Sequence, residues 1–278
     1  MAVVLEGGCR ISEMREGDPR IEGTLRIWDQ IGRATGAQAI SLRIMEFAPG
    51  LSPGIQNGEC DEILYVLDER WERGKSIGNE VSTSRVSGWV NAFIGGRQYN
   101  LEPDSGIYLR PRETLAIDNP GPNSIVLISS QCPDPDRIPQ FVAFPAVDSS
   151  RPDRSPILRL ADRPSVPTGD RWYRVLIDDE VGSAQVTQFV GSIPPGRAPD
   201  HFHNYEEVLF ILKGEGRMWA RDTNTPIGAG SCIYLPKGQV HCVENTGAGE
   251  LRLLGVFYPA GSPSVRYDVR VREADDRK

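Results

Sequence analysis

Three histidines occur in the chain, and two of them stand one residue apart in "APDHFHNYEEVLFILKGEG" (198–216). His201 and His203 fall at alternate positions, so on a β-strand both imidazoles project from one face. Glu207 keeps that parity if the chain stays extended, or returns to the same point from the next strand. The third histidine, His241, follows the "PKG" of "PKGQVHCVEN" (236–245), a tight turn that aims a new strand back across a sheet. Three neutral imidazoles and a carboxylate that meet inside a barrel make a site for one divalent transition metal, with positions left open for water or substrate. Buried together without an ion, the same groups need many compensating hydrogen bonds.

The elements that must position these residues read as short and β-rich. "GAQAISLRIMEF", "DEILYVL", "SGIYLRP", "NSIVLISS", "SAQVTQFVGS", "EEVLFILKG", "SCIYLP" and "LRLLGVFYP" are separated by regular turn signals, the pattern of a sandwich or barrel rather than of βαβ units. "TLRIWDQIGR" (24–33) is the one stretch whose apolar spacing reads as a short helix. Between Pro133 and Pro167 prolines crowd a segment also rich in Asp, Arg and Ser. Proline removes ladder donors, so this segment reads as an extended connector, with Ile138 to Val147 apolar enough to pack along a domain surface.

The halves on either side of the connector repeat each other. "GAQAISLRIMEFAPG" (36–50) parallels "SAQVTQFVGSIPPG" (183–196), and "EILYVL" parallels "EVLFIL". "SGIYLRPRETLAIDNPG" (105–121) parallels "SCIYLPKGQVHCVENTG" (231–247), which sets Asn119 opposite Asn245 and Glu62 opposite Glu207. A tandem duplication follows: an N-terminal barrel over 1–132, a Pro-rich connector over 133–170 and a C-terminal barrel over 171–278.

Two stretches now carry a specific resemblance. Pro194 to Gly214, with a glycine, HxH, three residues, Glu, six residues and Gly, is similar to the first cupin motif, although Gly196 sits one residue closer to His201 than usual. "GSCIYLPKGQVHCVEN" (230–245) resembles the second cupin motif at Gly230, Pro236, Gly238, His241 and Asn245. The chain therefore resembles a bicupin. The resemblance implies an all-β fold of two tandem jelly-roll (double-stranded β-helix) barrels, with a metal ligand set of His201, His203, Glu207 and His241. It also implies a homodimer or higher homo-oligomer.

The first half departs from the pattern. Aligned through Glu62, the histidine positions become Gln56, Gly58 and Leu115, and one carboxylate with one amide holds a transition metal poorly; no metal is expected there. That half also carries a polar insertion, "DERWERGKSIGNEVSTSRVSG" (68–88), which reads as a solvated loop, with a lid or an oligomer contact as alternatives. Near the histidines, Glu206 has the opposite parity and reads as a surface or capping residue. Asn204 and Tyr205 belong at the barrel mouth, and Cys242 reads as core filling. Phe189, Leu209, Ile211, Met218 and Tyr234 are apolar core that could also line a pocket, and Arg217 is an exposed strand arginine or a carboxylate anchor. "SVRYDVRVRE" (264–273) alternates as a half-buried strand.

Composition bounds the function. A formal net charge of −7 argues against a nucleic-acid backbone or an anionic membrane as partner. No run approaches the roughly 20 apolar residues of a spanning helix, and the N-terminal stretch lacks the pattern of a secretory leader. Five cysteines without a CxxC pair point to a reduced, cytoplasmic compartment. The expected partner is a small-molecule substrate. By analogy with cupin dioxygenases, the reading favoured by the resemblance is a mononuclear non-heme iron dioxygenase with Fe(II) at the C-terminal site. The alternatives are a non-redox isomerase, decarboxylase or hydrolase using Mn, Ni or Zn, and a non-catalytic small-molecule-binding barrel. Glu207 is the one residue that announces an acid–base role, as a ligand able to move off the metal.

Overall fold

A computed structural model describes residues 1–68, 90–136, 139–144 and 154–264. The polar insertion, much of the apolar Ile138–Val147 stretch and the alternating segment after Ser264 lie outside the described residues. Two β-barrels account for nearly everything else, each built from a larger and a smaller antiparallel sheet. In the first, the larger sheet orders Ile157–Arg159, Ser105–Leu109, Asp61–Val66, Ile125–Cys132, Leu42–Phe47, Leu25–Ile31 and Arg20–Glu22. In the second, the corresponding run is Ser231–Leu235, Glu206–Lys213, Leu251–Tyr258, Thr187–Ile193 and Arg171–Ile177.

The two larger sheets face each other, and strand parity sorts their side chains into three cores. Leu209 and Ile211 point into the second barrel. Leu64 and Val66 point into the first. The alternate set, including Ile63, Tyr65, Val208 and Phe210, meets in a third cluster drawn from both barrels. This explains why the central strands read as unbroken apolar runs: both faces of each larger sheet are covered.

Strands also cross the expected domain limits. Val3–Val4 and Arg10–Glu13, within the span expected for the first barrel, extend the second barrel's larger sheet, with Ile11 paired to Ile233. From the connector, Gln140–Val142 and Ile157–Arg159 pair into the first barrel, and Val166–Thr168 pairs with Arg171–Ile177 in the second.

The expected helix at "TLRIWDQIGR" is instead the strand Leu25–Ile31. A register shift between Asp29 and Ile31 inserts one residue against Leu42–Phe47. Trp28 and Ile31 therefore reach the same inter-barrel cluster although they are three apart. A bulge of this kind imitates helical spacing.

Candidate metal centre

The geometry of the histidines begins in the backbone. His201 and His241 are cross-strand partners: His201 N donates to His241 O at 3.0 Å and His241 N to His201 O at 2.8 Å. His203 lies two residues on, and its carbonyl accepts the Gly238 N–H at 2.7 Å, which ties the "PKG" turn to the HxH segment. Gly238 sits at φ +76°, a left-handed conformation that favours glycine. The three rings consequently gather with centroids 4.5 to 5.4 Å apart. One nitrogen from each lies within 4.8 Å of the others.

Second contacts orient the rings. His241 Nδ1 meets the Gln239 carbonyl at 2.8 Å and His201 Nδ1 meets the Pro199 carbonyl at 3.1 Å. A carbonyl only accepts, so each Nδ1 carries the hydrogen and each Nε2 keeps its lone pair. Burial pushes His241 well below the usual imidazole range, with the neighbouring His201 and His203 acting in the same direction. The ring is neutral, as ligation requires. His203 stacks on Tyr205 at 4.7 Å, and Tyr205 stacks on Phe257 at 4.6 Å. These stacks fix the ring plane.

Glu207 lies beside this group of three, with Oε2 3.6 Å from His203 Nε2, while the atoms that gather within 4.8 Å are those of the histidines alone. Glu207 is buried on Glu206–Lys213 among apolar neighbours, and burial pushes its carboxyl up to about 8. Three imidazoles, two of them with lone pairs oriented by backbone carbonyls, and one desolvated carboxyl beside them suit a divalent transition ion in donor type. His201, His203, His241 and Glu207 lie in the wall of a cavity of about 120 Å³. Phe189, Leu209 and Leu253 supply much of the apolar wall. Gly255 permits this packing, since a Cβ there would stand 2.2 Å from Phe189 Cε1.

The other expected residues divide by strand face. Phe189 and Leu209 line the cavity, whereas Ile211 and Met218 lie in the core behind it. Tyr234 points to the opposite face, into the inter-barrel cluster. There its hydroxyl donates to Glu206 at 2.5 Å, and Glu206 also accepts the N–H groups of Gln38 and Ala39 at 2.8 and 2.7 Å. Glu206 is thus a buried cap on a loop of the other barrel rather than a surface group. Asp61 does the same in reverse, accepting from Tyr108 and from Gln185 of the second barrel, both at 2.9 Å. Arg217 is exposed and donates to Asn224 at 2.6 Å. Cys242 is buried and receives Arg197 Nε at 3.2 Å. Asn204 is exposed beside the mouth. The repeated Asn119 and Asn245 serve the barrels themselves, each donating to two carbonyls and accepting the N–H two residues on.

The sequence patterns do not single out Thr168, Arg171, Trp172 and Tyr173, yet all four line the cavity. The available signal was the "TGD" turn followed by "RWYRVLI", which starts a strand at the barrel mouth.

In the first barrel the corresponding carboxylate, Glu62, is also buried, and burial raises its pKa. It accepts from Ser129 and lies beside Arg43, which bonds to Gln131 and pairs with Asp29 at 3.0 Å. The gap-free alignment placed Gln56 at this site, but its side chain turns out to donate to Arg112 O at 3.0 Å. Asn57 reaches inward instead and accepts from Gln131. The segment is one residue out of register with its counterpart, around a left-handed Gly58 at φ +68°. Leu115 packs in the barrel interior as expected of an apolar residue.

Residues 189–257 match the family model of the cupin domain. The second barrel is a cupin domain, and the chain has the bicupin fold. Among curated relatives, this bicupin is 34% identical over 86 residues to auxin-binding protein 1 of Arabidopsis thaliana and 38% identical over 67 residues to an oxalate-binding protein of Thermotoga maritima. These matches cover 27% and 23% of the chain and 43% and 55% of the relatives, so the chain spans about half their length. Among solved structures, the Lactobacillus farciminis oxalate decarboxylase in its formate complex superposes with a TM-score of 0.70 at 12% identity, covering 95% of this chain and 90% of that one. The Bacillus subtilis oxalate decarboxylase, a protein with Mn(II) centres, gives 0.66 at 14%, covering 93% and 79%. At such identities the superpositions establish the fold of both barrels.

Proposed function

We propose that the second barrel of this bicupin holds one divalent transition metal through His201, His203, Glu207 and His241 and acts there on a small carboxylate substrate without net oxidation. The observation that carries the reading is the convergence of three imidazoles within 4.8 Å, two of them with lone pairs oriented by backbone carbonyls, in the wall of a small cavity. The names of the oxalate-binding and oxalate decarboxylase relatives supply the substrate class and favour manganese over the iron expected from the sequence.

A divalent ion at this site supplies a Lewis acid for carboxylate or carbonyl oxygens. The chain's own residues do the rest. Phe189, Leu209 and Leu253 exclude water from the reacting end of the cavity, which strengthens every charge interaction inside it. Glu207 is the one carboxylate among the described residues of the wall. It is therefore the group that takes up or delivers a proton at Oε1 or Oε2 when it moves off the ion.

The iron dioxygenase remains the second reading. Its support is the largely aromatic and aliphatic wall, with no further carboxylate among the described residues to share proton transfer. Metal analysis of protein prepared without chelators, followed by O2 uptake with catechols, diketones and flavonols, separates the two. Manganese with turnover of a small carboxylate and no O2 uptake supports the first; iron with O2 uptake replaces it with the second. Among the described residues no helix is long and apolar enough to cross a membrane, and all five cysteines are buried thiols outside any disulfide. A cytoplasmic location and a homodimer or higher homo-oligomer complete the proposal; light scattering on purified protein tests the assembly.

A further inference from the structure

We infer that Glu206 is a positioning residue for the metal centre: the first barrel's loop Gly36–Ala39 grips its carboxylate and so sets where Glu207 and the turn leading to His241 stand. The inference rests on the metal reading above and gives the first barrel a part in it. Glu206 opens the strand Glu206–Lys213, directly after the bend at Asn204 and Tyr205 that leaves the HxH segment. Adjacent residues of a strand project to opposite faces. Glu207 therefore faces the cavity, while Glu206 faces the other barrel. A displacement of one side chain's backbone is a displacement of the other's.

The grip has three donors. Glu206 Oε1 accepts Gln38 N at 2.8 Å and the Tyr234 hydroxyl at 2.5 Å, and Oε2 accepts Ala39 N at 2.7 Å. The same Tyr234 hydroxyl lies 3.1 Å from the Gly36 carbonyl. Tyr234 belongs to Ser231–Leu235, the strand that feeds the turn at Pro236–Gly238, and Gly238 N donates to His203 O at 2.7 Å. One loop thus staples both strands that lead to the metal donors. The loop is itself fixed, since Ala37 and Ile40 are fully buried in the inter-barrel cluster and Ala37 N donates to Gly32 O at 3.1 Å. The duplication supplies a mirror of this arrangement. Asp61 precedes Glu62 as Glu206 precedes Glu207, and it accepts Tyr108 and Gln185 at 2.9 Å across the same boundary. Behind Asp61 stand no histidines, because all three belong to the second barrel.

The test is competition titration of chelator-stripped, full-length protein with Mn(II), together with the electron paramagnetic resonance spectrum of the bound ion. In Glu206→Gln an amide NH2 replaces one acceptor and leaves a buried N–H without a partner. Mn(II) affinity is expected to fall about 10- to 100-fold, with a changed Mn(II) fine structure. Asp61→Asn disturbs the same interface and is expected to lower Tm while affinity and spectrum stay those of wild type. Tyr234→Phe removes one bond and is read in place of Glu206→Gln if that variant does not fold; its expected loss is on the order of 3-fold. Wild-type affinity and spectrum in the variant read overturn the assignment. An equal loss in Asp61→Asn also overturns it, because loosening the interface anywhere would then suffice. Failure of the underlying metal reading looks different: wild type takes up no stoichiometric manganese, and the positioning role falls with it.

Discussion

Glu207 and Glu62 occupy corresponding places in two copies of one barrel, and each is buried where a carboxylate is costly to charge. The copies answer that cost differently. In the first barrel the cation is part of the chain: Arg43, one strand beyond Ile125–Cys132, lowers the cost of charging Glu62 electrostatically, and Ser129, Gln131 and Asn57 supply the hydrogen bonding. In the second barrel the residue at the Arg43 position is Phe189, and those at the Ser129 and Gln131 positions are Gly255 and Phe257. Among the described residues no arginine or lysine pairs with Glu207. That barrel offers three imidazoles and an aromatic-lined space instead. On the proposed reading, a duplicated scaffold neutralises its buried carboxylate from within on one side and sets it beside three imidazoles on the other, through a handful of inward-facing positions.

The sharpest way to break this comparison is to remove a donor on the metal side. His203→Ala and His241→Ala are expected to lose most bound metal, whereas Gln56→Ala keeps it; elemental analysis after extensive dialysis reads the result. Equal loss in all three variants would contradict the asymmetry between the barrels. On the structural side, Arg43→Met leaves Glu62 buried without its cation and is expected to cost about 3–5 kcal/mol in urea unfolding, at unchanged metal content. Adding Glu62→Gln recovers much of that cost, because the stranded charge is gone; a purely additive double variant would show that the two residues do not act as a pair.

Smaller effects refine the picture. Gly255→Ala places a methyl 2.2 Å from Phe189 Cε1 and is expected to cost about 1–3 kcal/mol by overpacking, visible as a lower Tm together with weaker ligand binding. The smallest is a pH effect on the metal-free protein. Burial raises the Glu207 carboxyl from 4.5 to about 8, so the folded chain prefers the protonated form. Its stabilising contribution is complete below the unfolded value and is lost as pH rises through the folded one. With chelator present, Tm should therefore decline between about pH 5 and about pH 9, and Glu207→Gln should flatten that decline. A variant as pH-sensitive as wild type would place the titrating group elsewhere.

Much of this organisation was legible in the sequence because it rests on local signals. Strand alternation, the "PKG" turn and the spacing of His201, His203, Glu207 and His241 depend on residues close together in the chain. The duplication was legible because both copies kept the Asn119 and Asn245 caps and the strands beside them. What escaped depends on long-range pairing. The bulge at Asp29 to Ile31 imitates a helix, and only its partner strand reveals it. The slip that brings Asn57 rather than Gln56 inward is invisible to an ungapped alignment. Arg43 looks like an ordinary strand arginine until the opposite wall of its barrel is in place. Residues Val3–Glu13 joined the second barrel because its sheet edge at Ser231–Leu235 was available to them, a choice that no nearby residue encodes.

The most direct test of the two-barrel account is anomalous diffraction at the absorption edge of whichever metal copurifies with the full chain. The account predicts a single strong peak per chain, bounded by His201, His203, Glu207 and His241. A peak beside Glu62 and Gln131, or a metal bound only at the surface while the histidine cluster stays empty, would contradict it.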